Sequence, residues 1–528
     1  MPVSTDVLRR PARVRPGRGG GGRTRPPLRL VALAVAVALL ALLPLFFVIA
    51  QAVAVGWSEA VRLLVRPHVG ELLANTVKLV AVATAGCGVL GVGVAWCVER
   101  TALPGRLAWS VLLALPIAVP AFVNSYGWVS LTSSVQGFGG AVLIVTLSYF
   151  PLVSLPVAAA LRGMDPGHEE AARSLGCGPW RVFVRVVLPQ LRPALLGGML
   201  IVALHLLAEF GAFAMLRFQT FTTAIYAEYQ TSFNGPAASM LATALVGLCV
   251  ILLILEVRVR GSASYARIGG GAARTAPRHR LGRWTVPVFG ALAALVGLAL
   301  GVPMGSLAYW LAHGSSAAFP AGALASAAVT TLGLGLLAAL VTTALALPVG
   351  MLATRYGGRL ANAVERSTYV AHALPGIVIA LALVFVAITF VRPVYQTVAL
   401  LVAAYAILFL PMALISVRAA LAQAPAALTE AARALGQRPY AVLWRVTLPL
   451  IAPGLGAGAA LVFLNVVTEL TATLLLAPIG THTLATQVWA NTSSLSYAAA
   501  APYAALIVVI SAPATYVLTR RLGMIGAA

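Results

Sequence analysis

The chain repeats itself at a fixed spacing of 260 residues. The segment "EEAARSLGCGPWRVFVRVVLPQLRP" (169–193) returns as "TEAARALGQRPYAVLWRVTLPLIAP" (429–453). The same offset pairs Glu170 with Glu430, Gly176 with Gly436, Arg185 with Arg445, Pro189 with Pro449 and Pro193 with Pro453. Beyond the two segments it pairs Pro151 with Pro411 and Glu209 with Glu469, without a gap. Self-similarity over so long a register means two homologous halves in one polypeptide.

The medium in which the halves fold follows from charge. Of 528 residues 60% are hydrophobic and 9% charged, where a soluble domain carries about 25%. A helix crosses the hydrocarbon layer with about 20 apolar residues. Runs of that length are expected near 29–53, 76–98, 107–131, 139–160, 194–217 and 237–257, and again near 284–312, 327–353, 368–391, 396–417, 454–477 and 498–519. The fold class is therefore an all-α polytopic membrane protein of two tandem six-helix halves, about 12 transmembrane helices. The first run exceeds the 7–15 residues of a signal-peptide core and is read as a retained span.

The formal charge of +23 sits where topology wants it. Arginines crowd residues 1–28, read as a disordered basic tail, and the Gly/Arg-rich linker 258–283. Between them lies the first half, 29–257; after the linker comes the second, 284–522. Basic loops face the cytosol, which places both termini and both repeated segments (165–193 and 425–453) inside, in a cell membrane. This placement argues against nucleic acid as a partner and for the lipid bilayer. Cys87, Cys97, Cys177 and Cys249 have no metal or disulfide spacing, so no metal site is expected.

Within the first copy, Glu169 and Glu170 open a short helix at the positive end of its dipole. Glu170 and Arg173 can pair at i,i+3. Ala171 and Ala172 favour helix with little bulk, Gly176 suits the left-handed residue that ends it, and Pro179 suits the start of a second helix. Leu188-Pro189 and Pro193 are expected to stop that helix and turn the chain into the fifth span. The alternative is an ordinary interfacial connector anchored by Trp180 and Trp444.

The order Glu170-Ala171-Ala172, Gly176, Val186, Leu188-Pro189, repeated as Glu430-Ala431-Ala432, Gly436, Val446, Leu448-Pro449, resembles the signature loop of ABC-type importer permeases. The family more often has Ile at the two Val positions. Two copies in one chain resemble the fused permeases of ferric-iron importers. The resemblance implies the type I importer permease fold and a loop that docks on a separate ABC ATPase subunit, in two copies. It also implies an extracytoplasmic substrate-binding protein and alternating access. ATP and Mg would belong to the partner, leaving this chain without a cofactor and without catalytic residues. Independently, the only lysine, Lys78, lies in no GxxxxGK[ST] motif, so this chain has no P-loop of its own.

Glu209 and Glu469 fall inside the fifth and eleventh runs, where carboxylates are costly and usually face the bundle interior. They are candidates for a cation pathway, as hard oxygen donors, or for a structural role, hydrogen-bonded to nearby hydroxyls and amides. In "LPIAVPAFVNSYGWV" the prolines 116 and 120 break a helix before Asn124, Ser125 and Tyr126, which are candidates for the pathway or for a kinked helix near the outer interface. The second half keeps Leu374-Pro375 but continues as "GIVIALALVFV", so any polar path is one-sided. The stretch 218–233 suits docking of a binding protein or an interfacial aromatic belt. Rival cargoes are thiamine, a phosphonate or a polyamine. A different class is an ion-coupled secondary carrier, which would have no use for two docking loops. No HExxH or GxSxG motif supports an enzyme.

Overall fold

The computed structural model describes residues 26–56, 62, 66–260, 278–314, 321–372 and 374–521. The basic tail up to residue 25 and the middle of the linker lie outside the described residues. Among the described residues the chain is helical throughout, without a strand and with one isolated parallel bridge, Thr101 to His279.

Among the described residues nine helices are long and apolar enough to cross a membrane, and the pair Arg106–Ala118 and Ala121–Val129, bent by 90°, makes a tenth. Gly376–Phe390 is apolar but shorter, and the last helix is Tyr497–Arg521. The break expected at Pro120 is present, and the second half repeats it at Pro375, within the run expected near 368–391. Pro120 (φ −55°, ψ 144°) and Pro375 (φ −59°, ψ 144°) stand in the same extended backbone immediately before a new helix. Proline has no N–H to continue the ladder and forces its predecessor out of the helical region. The 15 residues of Gly376–Phe390 reach only about 22 Å, short of a hydrocarbon core of about 30 Å.

In each half the second, fourth and fifth spans pack together: Pro67–Arg100 with Pro151–Gly163 and Leu188–Ala208, and Ala321–Met351 with Val398–Gln423 and Leu448–Val467. Small residues allow the approach, as expected of membrane helices. A Cβ on Gly198 would lie 2.9 Å from the Leu152 carbonyl oxygen, and one on its repeat partner Gly458 would lie 2.9 Å from Ser416 Cβ.

The halves interlock by exchanging their first helices. Leu28–Val55 packs on Gly358–His372 and Gly376–Phe390 of the second half, with Phe47 stacked on Phe385 at 5.4 Å between ring centroids. Reciprocally, Val302–His313 packs on Ala121–Val129 of the first half. There the Ser130 and Ser306 hydroxyls are 2.7 Å apart, and a Cβ on Gly127 would come within 2.6 Å of Pro303. Each broken third span is thus covered by a helix from the other half.

Candidate functional site

The repeated segments fold alike. The first forms helix Gly167–Ser174, an elbow at Gly176 and helix Pro179–Val182; the second forms Ala426–Ala434, an elbow at Gly436 and Pro439–Val442. Gly176 has φ 82° and Gly436 φ 80°, the left-handed region that a Cβ disfavours. Each elbow closes a Schellman motif. Gly176 N–H donates to the Arg173 carbonyl at 2.9 Å and Cys177 N–H to Ala172 at 3.1 Å; Gly436 and Gln437 repeat this to Arg433 and Ala432 at the same two distances.

Two sequence expectations are corrected. Arg173 pairs with Glu169 at i,i+4 (3.2 Å), while Glu170 and Glu430 are exposed. The prolines do not stop the second helix, which runs on as Pro179–Ala208 and Pro439–Val467. One wide π turn, Phe183–Val187 or Leu443–Thr447, directly precedes Leu188-Pro189 and Leu448-Pro449. The extra residue in that turn accommodates a proline that cannot donate a hydrogen bond.

At the tip, Ala171, Ala431 and both elbow glycines are exposed, and Ala172 and Ala432 half-exposed. Leu175 and Leu435, each just before its glycine, are both 83% exposed. They escaped the sequence reading, although an apolar residue recurring in a polar loop was a visible signal. The result is a small knob of exposed small residues with one apolar tooth.

The bases of the knobs differ. Glu169, 3% exposed, meets Arg100, 2% exposed, at 2.9 Å, so a carboxylate lies between Arg100 and Arg173. Glu99 beside it holds Arg162 at 2.8 Å. In the second copy Thr429 stands where Glu169 does and is buried. Arg355, at the end of the corresponding span, lies within charge range of Arg433. Arg100 was not foreseen because its partner is 69 residues away in the chain.

Glu209 and Glu469 stand at breaks rather than within helices, after Ala208 and just beyond Val467. Each caps the short helix that follows. Glu209 accepts from Ala212 N–H at 2.9 Å and from the Tyr149 hydroxyl at 2.7 Å. Glu469 accepts from Ala472 N–H at 3.0 Å and from the Thr473 N–H and hydroxyl at 3.1 and 2.9 Å. The breaks meet across the halves, since a Cβ on Gly211 would touch Leu470 and Phe122. Asn124, Ser125 and Tyr126 are buried in the adjoining short helix. The Asn124 amide donates to Ser148 at 2.7 Å. The Tyr126 hydroxyl donates to the Tyr497 carbonyl of the other half at 2.7 Å. Ser125 Oγ and Asn124 Oδ1 are buried without a hydrogen-bond partner.

At the far end of the long helices from the knobs, Phe221–Gln230 and Leu484–Ser493 each begin with a Thr-Thr capping box. A cavity of about 350 Å³ opens beside the first, lined by His68, Arg217, Gln219, Thr223 and Glu228 among others. Among the described residues no three His, Cys, Asp or Glu side chains converge.

Residues 88–260 and 346–522 each match the family described as binding-protein-dependent transport system inner membrane component. The chain is 40% identical to the Fe(3+)-transport system permease protein FbpB 2 of Haemophilus influenzae over 500 residues, 94% of this chain and 99% of that one. It is 31% identical to the sulfate transport system permease protein CysT of Escherichia coli over 239 residues, 41% of this chain and 86% of that one. The molybdenum transport system permease protein ModB of Escherichia coli is 29% identical over 189 residues, 31% of this chain and 82% of its own length. With the family found once in each half and one relative aligned almost end to end, the chain belongs to the binding-protein-dependent transport system inner membrane components.

Proposed function

We propose that this chain is the complete membrane pathway of an ATP-driven importer of ferric iron, worked from the cytosol by a separate ABC ATPase. The observation that carries the mechanism is the pair of exposed-tipped knobs with matching elbows, each built on the start of a fifth span. Leu175 and Leu435 enter clefts on two ATPase copies, which hold ATP and Mg. Closure of the ATPases draws the knobs together. Because each knob continues without a stop into Pro179–Ala208 or Pro439–Val467, the motion reaches the breaks at Glu209 and Glu469 as a rigid-body swing. The exchanged first helices make the halves move as one. A substrate-binding protein delivers cargo at the opposite face, near Phe221–Gln230. In this reading both termini are cytosolic.

Ferric iron is favoured by the 40% identity to the Fe(3+)-transport permease over nearly the whole chain, against about 30% over one half-length for the sulfate and molybdenum permeases. Asn124, Ser125 and Tyr126 border the crossing path. Glu209 and Glu469 hold the bends beside it by capping the short helices, and their oxygens reach cargo only if those caps open.

Co-purification from a membrane extract with an ATPase, followed by uptake in proteoliposomes, tests the reading. The expected result is ATP-dependent accumulation of ferric iron supplied with its binding protein, and none by the chain alone. Transport by the purified chain driven by a proton gradient would instead assign it to the ion-coupled carriers. Accumulation of sulfate or molybdate in preference to iron would overturn the cargo.

A further inference from the structure

We infer that His279, where the linker joins the second half, is a positioning residue for the first knob alone. The inference rests on the reading of the knobs as ATPase contacts. Among its described residues the linker meets the first half at His279. His279 N–H donates to the Arg100 carbonyl and Ala102 N–H donates to the His279 carbonyl, both at 2.9 Å, so the backbone is clipped on either side of Thr101. From that anchor the imidazole Nε2 reaches the Arg173 guanidinium at 3.2 Å.

A closed ring results. Arg173 binds Glu169, Glu169 binds Arg100, and Arg100 is held through its backbone by His279. Its members come from the second span, the knob helix and the linker. Arg173 also accepts the elbow hydrogen bond from Gly176, so the ring sets the angle at which Leu175 is presented. In the second knob Arg433 takes the place of Arg173, and it faces Arg355.

The contact depends on the histidine's charge. A guanidinium only donates, so Nε2 must carry a lone pair. Protonation would put donor against donor and charge against charge. The imidazole meets Arg173, and Glu169 lies between Arg173 and Arg100. The Glu169 carboxylate already serves two arginines, and an imidazolium would add a third cation.

Hydrogen exchange of the full chain in nanodiscs tests this, with the second knob as internal reference. His279→Ala should speed exchange at Gly176 and Cys177 about five-fold relative to Gly436 and Gln437, as loss of one hydrogen bond predicts. His279→Gln, whose amide oxygen still accepts from the Arg173 guanidinium, should protect the first knob as the wild-type chain does. The concentration of co-purified ATPase giving half-maximal stimulation should rise by the same factor in the Ala variant only. Equal exchange in all three proteins, or loosening of both knobs together, overturns the inference. If no ATPase binds, the coupling reading fails, while the exchange data still judge the ring.

Discussion

The two knobs share one backbone and stand on different foundations. Their helices, elbow angles and Schellman hydrogen bonds coincide, and so do the π turns behind them. Underneath, the first knob has a carboxylate buried between Arg100 and Arg173, whereas the second has a buried Thr429 in that place and Arg355 within charge range of Arg433. The outline of the knob is written within a dozen consecutive residues and recurs. The anchoring, which needs only to hold, has diverged. A fused chain can do this because its halves no longer have to serve as interchangeable copies. If two identical ATPases bind, they meet knobs of equal shape and unequal stiffness.

Converting one foundation into the other should give the greatest change. Glu169→Thr leaves Arg100 buried without its anion, a loss of about 3 kcal/mol for a broken buried pair. The first knob should then exchange as fast as the second or faster, and thermal inactivation should come earlier. An unchanged first knob would mean that the foundations are equivalent after all.

The elbows should respond equally. A Cβ at Gly176 or Gly436 meets no atom within 4 Å, so the penalty comes from the left-handed backbone alone. Gly176→Val and Gly436→Val should each cost about 2 kcal/mol and reduce ATPase recovery on purification to a similar extent. A knob that tolerates valine is not the one gripped.

The breaks offer a second paired contrast. Glu209→Gln keeps one acceptor oxygen and so loses the bond from either Tyr149 or Ala212, while Glu469→Gln keeps its contacts to Ala472 and Thr473 through one oxygen and loses only the charge behind them. Each should destabilise its cap by about 1.5 kcal/mol and slow uptake without abolishing it. Complete loss of iron uptake with normal stability and normal ATPase stimulation would make these carboxylates cargo ligands.

The mildest change runs the first experiment backwards. Thr429→Glu supplies an anion at i,i+4 to Arg433 and should stabilise the second knob by about 0.5 kcal/mol, as a partly exposed pair does. Slower exchange at Gly436 and Gln437 measures it.

Much of the site could be read before any coordinates. Gly176 and Gly436 announced a left-handed turn, the duplicated Glu-Ala-Ala announced a small-residue helix, and the 260-residue register announced two halves. Each of these rests on interactions between residues fewer than six apart, or on counting. The errors were of one kind. Glu170 was paired with Arg173 because i,i+3 is the local choice, but Arg100 draws Glu169 inward and Arg173 follows it. Pro189 was read as a stop because a lone helix cannot absorb it, but the packed fifth span retains it by widening one turn. The fifth run was read as continuous because its hydropathy is continuous, whereas the break in the third was visible in Pro116 and Pro120.

Sequence alone therefore settled that the chain lies in a membrane, that it has two halves and that each half carries the same knob, since apolar length, register and glycine chemistry are local quantities. Tertiary structure settled which helices break, that the first helix of each half covers the broken span of the other, and that Arg100, Glu169, Arg173 and His279 close a ring. Those outcomes depend on which distant surfaces meet. A buried charge or an unpaired backbone group finds its partner only after the chain has folded back on itself.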